Sequence, residues 1–116
     1  MSLQGIRVSF ETLRTLAFGG IGAAFAAVGT PFIGESRFLW IQNLTDVILQ
    51  FSIDGTNVHF ELPANADIVF DLSTNRTDIA GSFSIAINTI IWVRQGTAGA
   101  PAAGKVNVAT MYGKPL

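Results

Sequence analysis

The sequence predicts an all-β domain: an eight-stranded antiparallel β-sandwich of jelly-roll type with an extended N-terminal arm. Three observations predict it. From Arg37 onward apolar residues recur at every second position, the period of a half-buried strand and not of a helix. The runs follow one another at spacings of about 8 to 12 residues with turn-forming residues between most of them. Beyond the arm, no stretch has the pattern of an amphipathic helix.

Taken in order, residues 1–18 form the arm. Within it, ETLRTLAF has the length for a helical turn or two, but Thr12, Thr15 and the glycines that follow favour extended chain. Leu16 to Gly34, LAFGGIGAAFAAVGTPFIG, carries no charge and approaches the length of a membrane span. Its glycines and alanines make it weakly hydrophobic and a poor helix in water. Ala24-Phe25-Ala26 resembles a signal-peptide cleavage site, yet the preceding region contains Glu11 and alternates like a strand. The segment reads as two short apolar strands joined by a glycine-rich turn, the second ending at Gly29-Thr30-Pro31.

In VILQFSID, Val47, Leu49, Phe51 and Ile53 share one face; in NVHFELP, Val58, Phe60 and Leu62 do. Asp54-Gly55-Thr56 between them is a hairpin signal, because Gly tolerates the positive φ of such turns. After the break at Pro63-Ala64-Asn65, ADIVFDL puts Ile68, Phe70 and Leu72 opposite Asp67, Val69 and Asp71. Ser73 to Ser82 is the longest polar loop. FSIAI, TIIWVRQ and KVNVATMY supply the last strands, with the small-residue loop Gly96 to Gly104 before the final one. Residues 1–116 make one domain without repeats or linker.

Composition narrows the function. The 116 residues are 49% hydrophobic and only 13% charged, about half the charged share of an ordinary soluble domain. So few charges leave apolar surface for a partner or for copies of the same chain to cover. Net charge is −1 and the seven Lys and Arg residues are scattered, which argues against nucleic-acid binding. The absence of Cys excludes disulfides, zinc-thiolate sites and thiol nucleophiles. A reducing cytoplasm fits that absence.

Catalytic patterns are weak. The only His, His59, falls on the polar face of its strand beside Glu61, and no second His stands ready for a metal site. Asp67 and Asp71 share a face, while Asp46 and Asp54 sit near turns, where acids act as caps. No calcium-loop or phosphate-loop spacing occurs. No enzyme, cofactor or metal is expected. Trp40 and Trp92 have three readings: core packing, a protein interface or a sugar-stacking platform. Asn43 and Asn75 head Asn-X-Thr triplets, which matter only after secretion.

Several strings resemble the small structural proteins encoded near the capsid genes of tailed double-stranded DNA phages. They are TLAFGGIGAAFAAVGTPF, IQNLTDVILQFSIDGTNVHFELPANADIVFDLSTN and IIWVRQGTAGAPAAGKVNVATMYG, spanning about Leu13 to Gly113. The resemblance implies a jelly-roll decoration or cement subunit, made in the bacterial cytoplasm and sited on the outer capsid surface of the virion. Its implied partners are the major capsid protein and copies of itself, as dimer or trimer, with no nucleic acid and no membrane. Phe18, Phe25, Phe32 and Trp92 are then the contact candidates, and Arg7, Arg14 and Arg37 the polar rim. A tail, neck or head-fibre component is the alternative, followed by a carbohydrate-binding module.

Overall fold

The computed structural model describes residues 6–72 and 85–115. The loop expected over Ser73–Ser82 lies outside them. The described chain is all-β: β1 (Ile6–Phe10), β2 (Arg14–Ala17), β3 (Ala26–Ala27), β4 (Ser36–Asn43), β5 (Leu49–Ser52), β6 (Phe60–Leu62), β7 (Ala66–Asp71), β8 (Trp92–Gln95) and β9 (Lys105–Pro115). These nine strands form two antiparallel sheets packed as a sandwich. The larger has the order β1-β9-β4-β7 with β2 also on β9, and the smaller has the order β3-β8-β5-β6. The sandwich is as expected, with nine strands in place of eight.

The extra strand arises at the N-terminus. β1 and β2 lie on the same edge of β9, Phe10 opposite Met111 and Arg14 opposite Val108. Glu11, Thr12 and Leu13 therefore face only Ala109 and Thr110, a β-bulge that interrupts one strand. Its amide stays bonded, Glu11 N donating to the Thr110 carbonyl at 3.1 Å. With this continuation counted as one strand, pairing is nested: the first strand with the last, β3 with β8, β4 with β7, and β5 with β6. From Ile6 to Ala17 the expected arm is thus the edge of the larger sheet, because its backbone groups find partners on β9.

Alternation carries most of the core. Leu39 and Ile41 of β4, Leu49 and Phe51 of β5, and Val106 and Val108 of β9 are buried. Phe51 stacks on Phe60 at 5.3 Å, and Phe60 meets Phe70 edge-on at 5.7 Å, so one aromatic chain joins the smaller sheet to β7 of the larger. Two expected strands differ. β3 has only two residues, since Phe18–Gly20 is a turn of 3-10 helix and the glycines around it prevent a longer ladder. In the run FSIAI, whose Phe83 and Ser84 are not described, Ile85 makes a single bridge to Ser36. Asn88 then takes φ 67°, and Thr89 Oγ1 donates to the Ala86 carbonyl at 2.7 Å, turning the chain and leaving Ile87 exposed.

The bulge turns Arg14 inward, where its side chain is 5% exposed. Its guanidinium donates to Glu11 Oε1 at 2.5 Å, to the Thr30 carbonyl at 2.6 Å, to the Pro31 carbonyl at 3.0 Å and to Thr110 Oγ1 at 3.1 Å. It also lies over the Phe32 ring at 4.9 Å. The Glu11 carboxylate accepts the Ile33 and Gly34 amides in return. Two glycines make room: Gly29, at φ 73°, has Arg14 Cβ 2.7 Å from where its own Cβ would be, and a Cβ on Gly34 would enter the Tyr112 ring.

Burial opposes ionisation of Glu11, but the Gly34 amide, the Arg14 guanidinium and the Ile33 amide outweigh it and hold its carboxyl below the usual range. A lowered folded pKa adds stability that is complete above the unfolded value of about 4.3 and is lost as pH falls through the folded one. Arg14→Ala, which strands a buried carboxylate, is expected to cost about 3–5 kcal/mol in urea unfolding at pH 7. Glu11→Gln is expected to remove the part of the acid-induced loss of stability that this group causes. Stability curves between pH 3 and pH 7 check both.

Candidate interaction surfaces

The expected contact residues do not gather on one surface. Phe32 is 1% exposed and Arg14 5%, so both belong to the interior and neither serves as a surface contact or a polar rim. They are buried because the loop after β3 folds Phe32 under the Arg14 guanidinium. Phe18 is exposed in its 3-10 turn. Phe25 is half-buried beneath Arg94, whose guanidinium lies 4.5 Å from the ring centroid. Arg37 donates to the Leu72 carbonyl at 3.0 Å. Arg7 pairs with Lys114 in the β1–β9 ladder, and the rim role expected of its side chain lies outside what is described. Trp92 faces away from the buried Ile91 and Val93 and packs over Gly55 of the hairpin turn.

The catalytic candidates resolve into turn chemistry. Asp54 accepts the Asn57 and Thr56 amides, the Asn57 side-chain amide and the Ser52 hydroxyl. Those bonds hold its carboxyl far below the ordinary aspartate value. His59 Nδ1 accepts the Ile53 amide at 3.1 Å, and its Nε2 stands 3.9 Å from Asp54 Oδ2. Glu61 accepts from Gln50 at 2.9 Å and not from His59. Among the described residues no group of three or more His, Asp or Glu side chains is placed to hold a metal ion. Among the same residues no helix is long and apolar enough to cross a membrane.

Asn43 is a fastening point. It is fully buried, and its side-chain amide donates to the carbonyls of Val47, Leu62 and Pro63 at 2.9–3.0 Å while its oxygen accepts from Thr45 N and Oγ1. It ties the end of β4 to the start of β5 and the end of β6. The Asn-Leu-Thr triplet is therefore an internal turn lock and not a glycan acceptor; Asn75 lies outside the described residues.

The two outer faces of the sandwich differ in chemistry. On the smaller sheet Arg94 Nε donates to Gln50 Oε1 at 2.8 Å and Gln50 donates to Glu61, a polar ladder that suits water. On the larger sheet the register aligns Phe10, Met111 and Phe38 in one row, and Ala109, Trp40 and Val69 in the next. Val8 is 59% exposed, Phe10 72% and Val69 49%. Polar groups on this face bond within it: Thr15 Oγ1 to Asn107, Asn107 Nδ2 to Gln42 Oε1, and Trp40 Nε1 to Asp67 at 2.7 Å.

Sequence reasoning missed this face. The signal was present in Phe38-Leu39-Trp40-Ile41 and Ile68-Val69-Phe70, where apolar residues fill both alternating positions, the mark of strands covered on both sides. Comparison of the chain with protein families, curated proteins and solved structures finds no match.

Asn43→Ala leaves the buried Leu62 carbonyl, the part-buried Val47 and Pro63 carbonyls and the Thr45 amide without this partner. It is expected to cost at least about 2 kcal/mol in urea unfolding, with an unchanged far-ultraviolet spectrum at low temperature.

Proposed function

We propose that the chain is a non-enzymatic structural subunit of a tailed-phage virion, a decoration or cement protein on the outer capsid surface. The nested strand pairing supports this reading most. With β1 and β2 counted as one bulged strand, the orders first-last-β4-β7 and β3-β8-β5-β6 support a jelly-roll reading, the fold that the sequence resemblance implies. Fold alone does not assign function. The capsid placement comes from the quoted strings, and the low charge together with the apolar outer face fits a chain that finishes burying itself against partners.

The mechanism is mechanical. Each subunit bridges neighbouring major capsid proteins and meets copies of itself, so weak contacts repeated on a closed lattice act together. A subunit that binds the assembled shell and not its separated parts stabilises the shell by linkage.

Quantitative mass spectrometry of purified particles of the encoding phage checks the reading. It predicts hundreds of copies per particle, in fixed ratio to the major capsid protein. A dozen or fewer would place the chain in the tail or neck, and none would remove it from the virion.

A further inference from the structure

We infer that the outer face of the larger sheet is a self-association surface, pairing with the same face of a second copy about a two-fold axis that runs along the strands between β4 and β9. Three features of the face carry the inference. First, its exposed apolar side chains run across the sheet from Val8 and Phe10 to Val69, with Asp67 and Asp71 at the β7 edge, while the outer face of the smaller sheet carries a charged and amide ladder beside Trp92. Second, burying it leaves few polar groups stranded. Thr15, Asn107 and Gln42 form one hydrogen-bonded chain, Asn107 is only 6% exposed although it points outward, and the Trp40 indole is satisfied by Asp67. Third, its size suffices. Four strands about 4.8 Å apart and the stretch of β9 from Asn107 to Gly113 give on the order of 500 Å² per copy, so a pair buries about 1,000 Å², the threshold for a specific interface.

Charge and shape fix the axis. The acidic positions of the face, Asp67 and Asp71, both lie on the edge strand β7. A two-fold along the strands sets each β7 against the other copy's β1–β2 edge, whereas a two-fold across them would stack β7 on β7 and oppose like charges. With the axis between β4 and β9, Ala109 of one copy faces Trp40 of the other, a small residue opposite a large one. Met111 likewise faces Phe38. Two such faces pack as aligned sheets do, about 10 Å apart and turned by roughly 30°. The occupant is a second copy because the two central strands are neutral over residues 38–42 and 107–111 and carry both the small residue and the large one set against it.

The surface goes beyond the virion reading and does not need it. Sedimentation velocity of the full chain from about 1 to 500 μM is the test. The expected result is a reversible monomer–dimer equilibrium in the micromolar range. Phe10→Asp, which sets a second carboxylate against Asp71 of the other copy, and Val69→Lys, both at well-exposed positions and expected to melt like the parent, should each weaken association at least tenfold. Ile53→Lys, exposed in the hairpin loop of the smaller sheet, should leave it unchanged. A chain that stays monomeric throughout overturns the inference, and so does a dimer indifferent to Phe10→Asp and Val69→Lys. Should those substitutions abolish binding to capsids while the chain is a monomer, the face belongs to a shell protein and the self-association is wrong. Dimerisation of a chain absent from virions would sink the proposed function alone.

Discussion

The structure depends on a change of parity at Glu11–Leu13. Side chains of a strand alternate between faces, so a regular ladder from Phe10 to Arg14 would point both the same way. Three residues set against two reverse that alternation. Phe10 and Val8 then face out, and Arg14 and Leu16 face in. The buried ion pair makes the reversal durable, because a charge in the interior persists only with partners, and Glu11, Thr30, Pro31 and Thr110 provide them around Arg14. The same network seats the loop that carries Phe32 into the core.

That register divides the labour between the two sheets. β9, the longest strand, holds β1 and β2 on one side and β4 on the other, so the nested pairs close around it. Its inward residues, Val106, Val108 and Thr110, build the core, and its outward residues, Asn107, Ala109 and Met111, run down the middle of the apolar face. The smaller sheet turns its hydrogen-bonded charges to water. The two outer faces of the sandwich are thus unlike, one polar and hydrogen-bonded, the other largely apolar with its acids at the β7 edge.

Much of this was legible in the sequence, and the failures have physical causes. The period of two placed Leu49, Phe51, Phe60, Leu62, Ile68 and Phe70 inward, and Asp54-Gly55-Thr56 marked the turn between β5 and β6. The bulge was not legible, since Glu11-Thr12-Leu13 contains neither Gly nor Pro and its cause, the Arg14 pocket, is completed beyond Glu11 by residues 16 to 96 positions away. Expecting Arg14 at a surface came from treating residues 1–18 as an arm; Phe32, beyond it, is drawn inside by the loop that seats it under the Arg14 guanidinium. The role of Asn43 was hidden for a similar reason: two of its three acceptors, Leu62 and Pro63, come from a different strand and from the turn after it. The apolar outer face is written in Phe38-Leu39-Trp40-Ile41, an unbroken apolar run amid strands that otherwise alternate.

Deleting Thr12, which is exposed in the bulge, tests the parity argument most directly. One residue fewer sets two against two and drives the Arg14 side chain out of the core or Phe10 into it, so the account predicts loss of cooperative thermal unfolding. Thr12→Ala, which keeps the residue count, should melt as the parent does. A deletion variant that melts cooperatively within a few degrees of the parent would contradict the account.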